Sequence, residues 1–152
     1  MNARTYILAA TCGSAAILLG AFAFQHLGGL PPCKLCIWQR WPHAVAVAIG
    51  CVVLLSGQIR LAWLSALAAL STAGIGFYHV GVEQGWWEGP SSCTSTGVGG
   101  LSAQELMDQI MAAPLVRCDD IAWQFIGISM AGWNAILSLA LAAIWITAAR
   151  TR

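Results

Sequence analysis

The sequence predicts an all-α polytopic membrane protein: a four-transmembrane-helix bundle with a short amphipathic helix in its second outer loop. Three observations predict it. Hydrophobic residues make up 59% of the 152 residues and charged residues only 9%, against roughly 25% charge in soluble domains, where charge covers the water-facing surface. The apolar residues gather in four stretches near the spanning length, about 20 residues at a rise of about 1.5 Å each. The few charges are sorted by sign between the two ends of those stretches. A net charge of +1 leaves no basic footprint for nucleic acid. The length fits a single membrane domain, 1–152.

The first predicted span is 6–24, which holds no charge. A cleavable signal competes for it, since Ala21-Phe22-Ala23 imitates a small-residue cleavage site. Its 19 apolar-rich residues exceed an ordinary signal core, so a retained span is expected. The second span is 41–57, with Pro42 in a first helical turn, where no donor is lost. The third is 61–78 and the fourth 121–149, long enough to tilt or project. Only 56–60 separates spans two and three, which forces an antiparallel hairpin. Residues 25–40 and 79–120 are then the outer loops.

Basic residues set the orientation. The side holding both termini carries Arg4, Arg60, Arg150 and Arg152 and no acid, a charge of +4. The other carries Lys34, Arg40 and Arg117 against Glu83, Glu88, Glu105, Asp108, Asp119 and Asp120, a charge of −3. The termini are expected in the cytoplasm and both long loops outside. Trp38, Trp41, Trp86, Trp87 and Trp123 fall at the outer boundary and Trp63 and Trp145 at the inner one, as membrane-interface belts do. Trp133 is expected at mid-depth, filling the bundle. Small residues four apart (Ala9/Gly13, Ala16/Gly20, Ala46/Gly50, Gly127/Ala131/Ala135) let helices approach closely.

The six cysteines divide by depth. Cys12 and Cys51 lie inside spans, where a thiol acts as a small hydrophobe and is expected to be buried in packing. Cys33, Cys36, Cys93 and Cys118 lie in the outer loops, and four cysteines allow three pairings. If Cys33 pairs with Cys36, Cys93 is left to Cys118. Structural disulfides, zinc and redox exchange compete for the four. A bond across two residues closes too short a loop to stabilise much. Zinc ribbons want two close pairs, and Cys93 and Cys118 are far apart in sequence. Redox exchange fits best, because Lys34 inside Cys33-Lys34-Leu35-Cys36 and Arg40 a turn beyond both favour thiolate, the attacking species. The plainer alternative for both cations is snorkelling to the interface.

The second outer loop reads as two parts. Residues 89–100, rich in Gly, Ser and Thr, have little to bury, which predicts a flexible stretch presenting an exposed Cys93 to another protein. Ser102-Ala103-Gln104-Glu105 is a capping box. The helix it starts places Leu106, Met107 and Ile110 on one apolar side and ends before Pro114, as a helix on the membrane surface or against another protein would. Cys118 follows, near the top of span four.

Phe24-Gln25-His26, Pro32-Cys33-Lys34-Leu35-Cys36-Ile37-Trp38-Gln39-Arg40, the Cys93…Cys118 pair, Cys118-Asp119-Asp120-Ile121-Ala122-Trp123 and Gly127-Ile128-Ser129-Met130-Ala131-Gly132-Trp133-Asn134 together resemble the DsbB family of membrane thiol oxidases. The resemblance runs over essentially the whole chain. It implies an enzyme of the bacterial inner membrane that reoxidises a periplasmic DsbA-like thioredoxin-fold protein and passes two electrons to a quinone, ubiquinone in preference to menaquinone. Carried over to this sequence, Cys33 and Cys36 are the quinone-proximal pair, Cys93 and Cys118 the pair that exchanges with a partner docking at Cys93, and Arg40 the residue supporting quinone and thiolate. His26 and His79, at the outer ends of spans, are expected to border the quinone, and His43 is a weaker candidate. No metal ligand set is expected. Asp119 and Asp120 beside Cys118 oppose its thiolate by like charge. A VKOR-like four-helix reductase and a non-enzymatic membrane protein with structural disulfides are the alternatives.

Overall fold

The computed structural model describes residues 2–93, 102–112 and 116–151. Most of the expected flexible stretch (94–100), Pro114 and the side chain of Leu106 lie outside the described residues. Four helices, α1 (Ala3–His26), α2 (Lys34–Ser56), α3 (Ala62–Glu83) and α5 (Met130–Arg150), are long and apolar enough to cross a membrane. They close into a ring: α1 on α2, α2 on α3, α3 on α5, and α5 back on α1. Between α3 and α5 come α4 (Ala103–Ala112) and a hairpin of β1 (Gln124–Phe125) and β2 (Ile128–Ser129), paired antiparallel with Phe125 opposite Ile128.

The ring is lined by small residues. Ala10, Ala46, Ala62, Ala66, Ala69, Ala142 and Ala148 are buried around Ile7, Val53, Leu141 and Trp145. With lipid as solvent there is little hydrophobic drive between helices, so close approach of backbones does the work. Gly50 of α2 shows this: a Cβ there would overlap the side chain of Thr11 on α1. Gly50→Ala is expected to destabilise the fold by about 1–3 kcal/mol. The check is the midpoint of thermal unfolding in detergent, followed by tryptophan fluorescence. Gly20→Ala, at a position with open space around it, should leave that midpoint unchanged.

All four expected spans are present, with several corrected ends. α2 starts at Lys34 rather than 41 because Cys33 caps it, its Sγ accepting the N–H of Cys36 at 3.1 Å. Pro42 therefore lies inside the helix, where it removes the bond to the Trp38 carbonyl. α3 runs past 78 to Glu83. The last helix starts at Met130, not 121, because a hairpin precedes it. Both central residues of its turn, Ile126 (φ 52°) and Gly127 (φ 74°), are left-handed, the backbone a two-residue hairpin turn requires. Gly127 is thus a turn residue and no part of a helix-packing stripe.

Side-chain placement departs from expectation at four further positions. Trp133 lies in the first turn of α5, not at mid-depth, and donates its indole N–H to the Phe125 carbonyl at 3.1 Å. Trp145 belongs to the bundle core rather than the inner boundary. Cys12 and Cys51 are exposed on the outer faces of their helices, because hydrocarbon accepts a thiol as readily as a protein core does. α4 begins with the capping box, Ser102 Oγ donating to Glu105 Oε2 at 2.6 Å; that bond holds the Glu105 carboxyl below its usual pKa. Met107, Ile110 and Met111 are exposed on it.

Candidate active site

Cys33 and Cys36 sit one turn apart at the start of α2, their sulfurs 2.6 Å from each other. A helix N-terminus carries partial positive charge and stabilises a thiolate there. The hydrogen bond to Cys36 first, and burial second, hold the Cys33 thiol well above its ordinary pKa. Cys93 and Cys118 are joined as a disulfide with Cα atoms 5.3 Å apart. Cys93, expected to be exposed, is 1% exposed. It packs with Cys118, Cys33, Leu35 and Val82 in one buried cluster, so bonding to Cys118 draws it down onto the top of the bundle. Lys34 ties the two segments together, its Nζ donating to Ser92 Oγ at 2.9 Å. Asp119, a candidate opponent of thiolate at Cys118, is held by Arg117, with nitrogen–oxygen distances of 3.0 and 2.8 Å.

His79 stands between the two pairs. Its Nε2 lies 3.6 Å from Cys33 Sγ and 3.1 Å from the Cys118 carbonyl oxygen. Nδ1, on the other edge of the ring, meets Gln39 Nε2 at 2.9 Å. Gln39 is held in turn by Asn134, whose Nδ2 donates to Gln39 Oε1 at 2.6 Å and to Thr72 Oγ1 at 3.1 Å. His43 joins from below, its Nε2 3.0 Å from Asn134 Oδ1 and 3.3 Å from Ser138 Oγ. This buried network stitches α2, α3 and α5 together inside the membrane. Such networks hold one arrangement best when every member is satisfied; here His43 Nδ1 is buried without a partner.

A cavity of about 440 Å³ opens beneath the cysteines. Ile17, Leu18, Phe24, Met130 and Leu137 make its walls apolar, while Cys33, Cys36, Arg40, His79 and Glu83 converge at one end. Arg40 is aimed by α1: its Nη1 donates to Gln25 Oε1 at 2.5 Å, its Nη2 to the Ala21 carbonyl at 3.2 Å, and its guanidinium lies 5.0 Å over the Phe22 ring. Trp123 caps the same region, its ring between Phe24 at 5.1 Å and Phe125 at 6.2 Å. His26 does not line this cavity; it is exposed and stacks on Phe22 at 6.3 Å.

Glu83 is the residue sequence reasoning missed. The expected span ended at Tyr78, which assigned Glu83 to the outer loop. Its side chain is instead 5% exposed, with Oε1 3.9 Å from His79 Nε2 and Oε2 without a hydrogen-bond partner. A buried ionisable group at membrane depth is costly and marks a working site. The signal was available: Glu83 follows His79 by four residues, one helical turn on the same face. Gln39 and Asn134 were quoted only as parts of motifs.

A metal is a poor fit here. The ligand atoms of Cys33, Cys36 and His79 lie within 4.8 Å of one another. However, His79 Nε2 points at a carbonyl oxygen, which only accepts, so that nitrogen bears the ring proton and has no lone pair to give.

The family model "Disulfide bond formation protein DsbB" matches residues 3–148. A protein of Azoarcus sp. (strain BH72) named disulfide bond formation protein B is 30% identical, the match covering 95% of this chain and 92% of that one. A protein of the same name from Verminephrobacter eiseniae is 34% identical over 90% of this chain and 84% of its own. An uncharacterised Rickettsia prowazekii protein, RP370, is 28% identical over 80% and 73%. No solved structure matches.

Proposed function

This chain belongs to the DsbB family of bacterial membrane proteins of disulfide bond formation, and we propose that it oxidises a periplasmic DsbA-like thioredoxin-fold protein and delivers the electrons to a quinone. The observation that carries the reading is the position of His79, touching Cys33 of one cysteine pair and the backbone of Cys118 of the other above an apolar cavity. Two pairs so close exchange with each other. In this reading the termini are cytoplasmic and the cysteine loops periplasmic, as the sorting of basic residues favours.

The chemistry is thiol–disulfide exchange. A partner thiolate attacks Cys93, and the Cys93–Cys118 bond breaks to leave Cys118 as thiolate. Because Cys93 is buried, docking lifts its loop off Leu35 and Val82. Cys33 and Cys36 are free thiols in this structure. Once quinone has oxidised them to a disulfide, Cys118 attacks the Cys33 sulfur, its neighbour in the buried cluster. The Cys33–Cys36 bond breaks, and Cys36 leaves as thiolate at the positive end of α2. Arg40 faces the same end of the cavity and offsets that charge. The cavity suits a quinone: its volume is within the usual range for small-molecule sites, its walls are apolar, and its polar groups converge at one end. A bound quinone supplies a two-electron, two-proton acceptor, and the protein supplies position and electrostatics. Glu83, with one carboxylate oxygen unpartnered, is a group there able to hold a proton.

Mild reductant tests the reading. Cys93–Cys118 is expected to open under a small thiol in quinone-free protein, and both cysteine pairs to become disulfides when quinone is added anaerobically, counted by thiol alkylation and mass. Bonds that resist the reductant, or that stay open with quinone present, would show structural disulfides instead.

A further inference from the structure

The hydrogen bonds around His79 fix which of its nitrogens carries the proton, and they do so from both sides of the ring. Gln39 Nε2 lies 3.3 Å from the Leu35 carbonyl, so that end of the amide is the NH2; turned over, two oxygens would face each other. The opposite end, Oε1, takes the N–H of Asn134. The Gln39 NH2 therefore donates to His79 Nδ1, which must be the unprotonated nitrogen. On the far edge, Nε2 faces the Cys118 carbonyl, which accepts only. Both edges require the Nε2–H form. Gln39 and His79 are 6% and 3% exposed, so water does not compete for these bonds.

We propose that Gln39, braced by Asn134, is a positioning residue that locks His79 as an N–H donor toward the Cys33 sulfur. The donor matters when Cys33 must leave. After the first exchange Cys33 is bonded to Cys118. The partner's second thiolate attacks the partner sulfur bonded to Cys93, which breaks that bond, releases the partner as a disulfide and leaves Cys93 as thiolate. Cys93 then attacks the Cys118 sulfur: the Cys93–Cys118 bond re-forms, the Cys33–Cys118 bond breaks, and the negative charge passes from Cys93 to Cys33. No electron or proton is gained or lost in that step. Cys36 already carries charge beside Cys33, and Glu83 lies 3.9 Å from the same His79 nitrogen, so Cys33 is poorly placed to hold an anion unaided. A hydrogen bond to a charged atom is stronger than one to a neutral atom, and the His79 N–H is positioned to supply it. The tautomer does not depend on the quinone. The exchange step rests on the redox reading above.

Two measurements on the full-length protein in nanodiscs, stripped of quinone, test it. The first is the ¹⁵N NMR spectrum of histidine-labelled protein, with His79 assigned by difference against His79→Phe. Protonation at Nε2 alone is expected, and protonation at Nδ1 in the unaltered protein overturns the proposal without any need for a stable variant. The second is the alkylation rate of Cys33 at neutral pH in a background of Cys12→Ala, Cys36→Ala and Cys51→Ala, with Cys93–Cys118 intact. Gln39→Leu is expected to slow it about tenfold, the scale of one hydrogen bond to an anion. His79→Phe should slow it as much, and the double variant no further, because both act through one donor. Additive losses, or an unchanged rate in Gln39→Leu, contradict the positioning role. These outcomes do not require turnover, so they remain distinct from a failure of quinone to reoxidise the pair.

Discussion

Replacing Cys93 by serine is expected to abolish oxidation of the DsbA-like partner, a loss of at least about 10³-fold, as when a nucleophilic unit is broken. Reduction of Cys33–Cys36 by a small thiol and its reoxidation by quinone should survive in the same variant. The division follows from the geometry. Cys93 sits beside exposed Ser91 and Ser92 on the outer loop, whereas Cys33 and Cys36 start a spanning helix and line the cavity. A small thiol can approach the short pair directly, but a folded partner meets Cys93 first. The measurement is single-turnover oxidation of partner thiols alongside thiol counting on the short pair. Loss of both reactions together contradicts the division of labour.

Arg40→Leu is the second large expected effect, with quinone-dependent kcat/KM falling on the order of 100-fold. Arg40 lines the cavity with Cys36 and Glu83. Removing it leaves the Glu83 carboxyl and an emerging Cys36 thiolate facing one another at membrane depth, and an uncompensated buried charge is strongly unfavourable. Arg40→Lys should recover little. The guanidinium uses two nitrogens on two acceptors, Gln25 Oε1 and the Ala21 carbonyl, and stands over the Phe22 ring, a fork that an ammonium does not reproduce. Exchange between the partner and Cys93–Cys118 in a single turnover should remain. A normal quinone rate in Arg40→Leu would remove Arg40 from the site.

Hydropathy made the four spans legible, because lipid admits only long apolar helices. It misplaced their outer ends for a physical reason: the functional polar residues lie there. Gln39 and Arg40 lower the apolarity of the first turns of α2, which therefore read as loop. His79 and Glu83 do the same at the end of α3. The opposite error struck span four, where Ile121 to Ser129 are apolar enough to extend a helix yet form an interfacial hairpin around Ile126 and Gly127. The four loop cysteines and Arg40 stood out because thiols and a lone cation at that depth are rare. The Gln39–His79–Asn134 network did not, since it joins three helices from positions 40 to 95 residues apart, and only packing brings them together. The burial of Cys93 was hidden likewise, as the loop composition gave no sign of its docking on Leu35 and Val82.

The central claim is that electrons enter at Cys93–Cys118, cross to Cys33–Cys36 and leave to a quinone in the cavity beneath. Anaerobic mixing of the purified protein with a reduced thioredoxin-fold partner and excess quinone tests it most directly, with quinone reduction followed by absorbance and partner thiols by alkylation. The account predicts one quinone reduced for each partner dithiol lost. When Cys33 and Cys36 are both serine, it predicts no quinone reduced and no more partner dithiol lost than the Cys93–Cys118 bond can take up in a single turnover. Partner thiols that disappear without a matching reduction of quinone would contradict it.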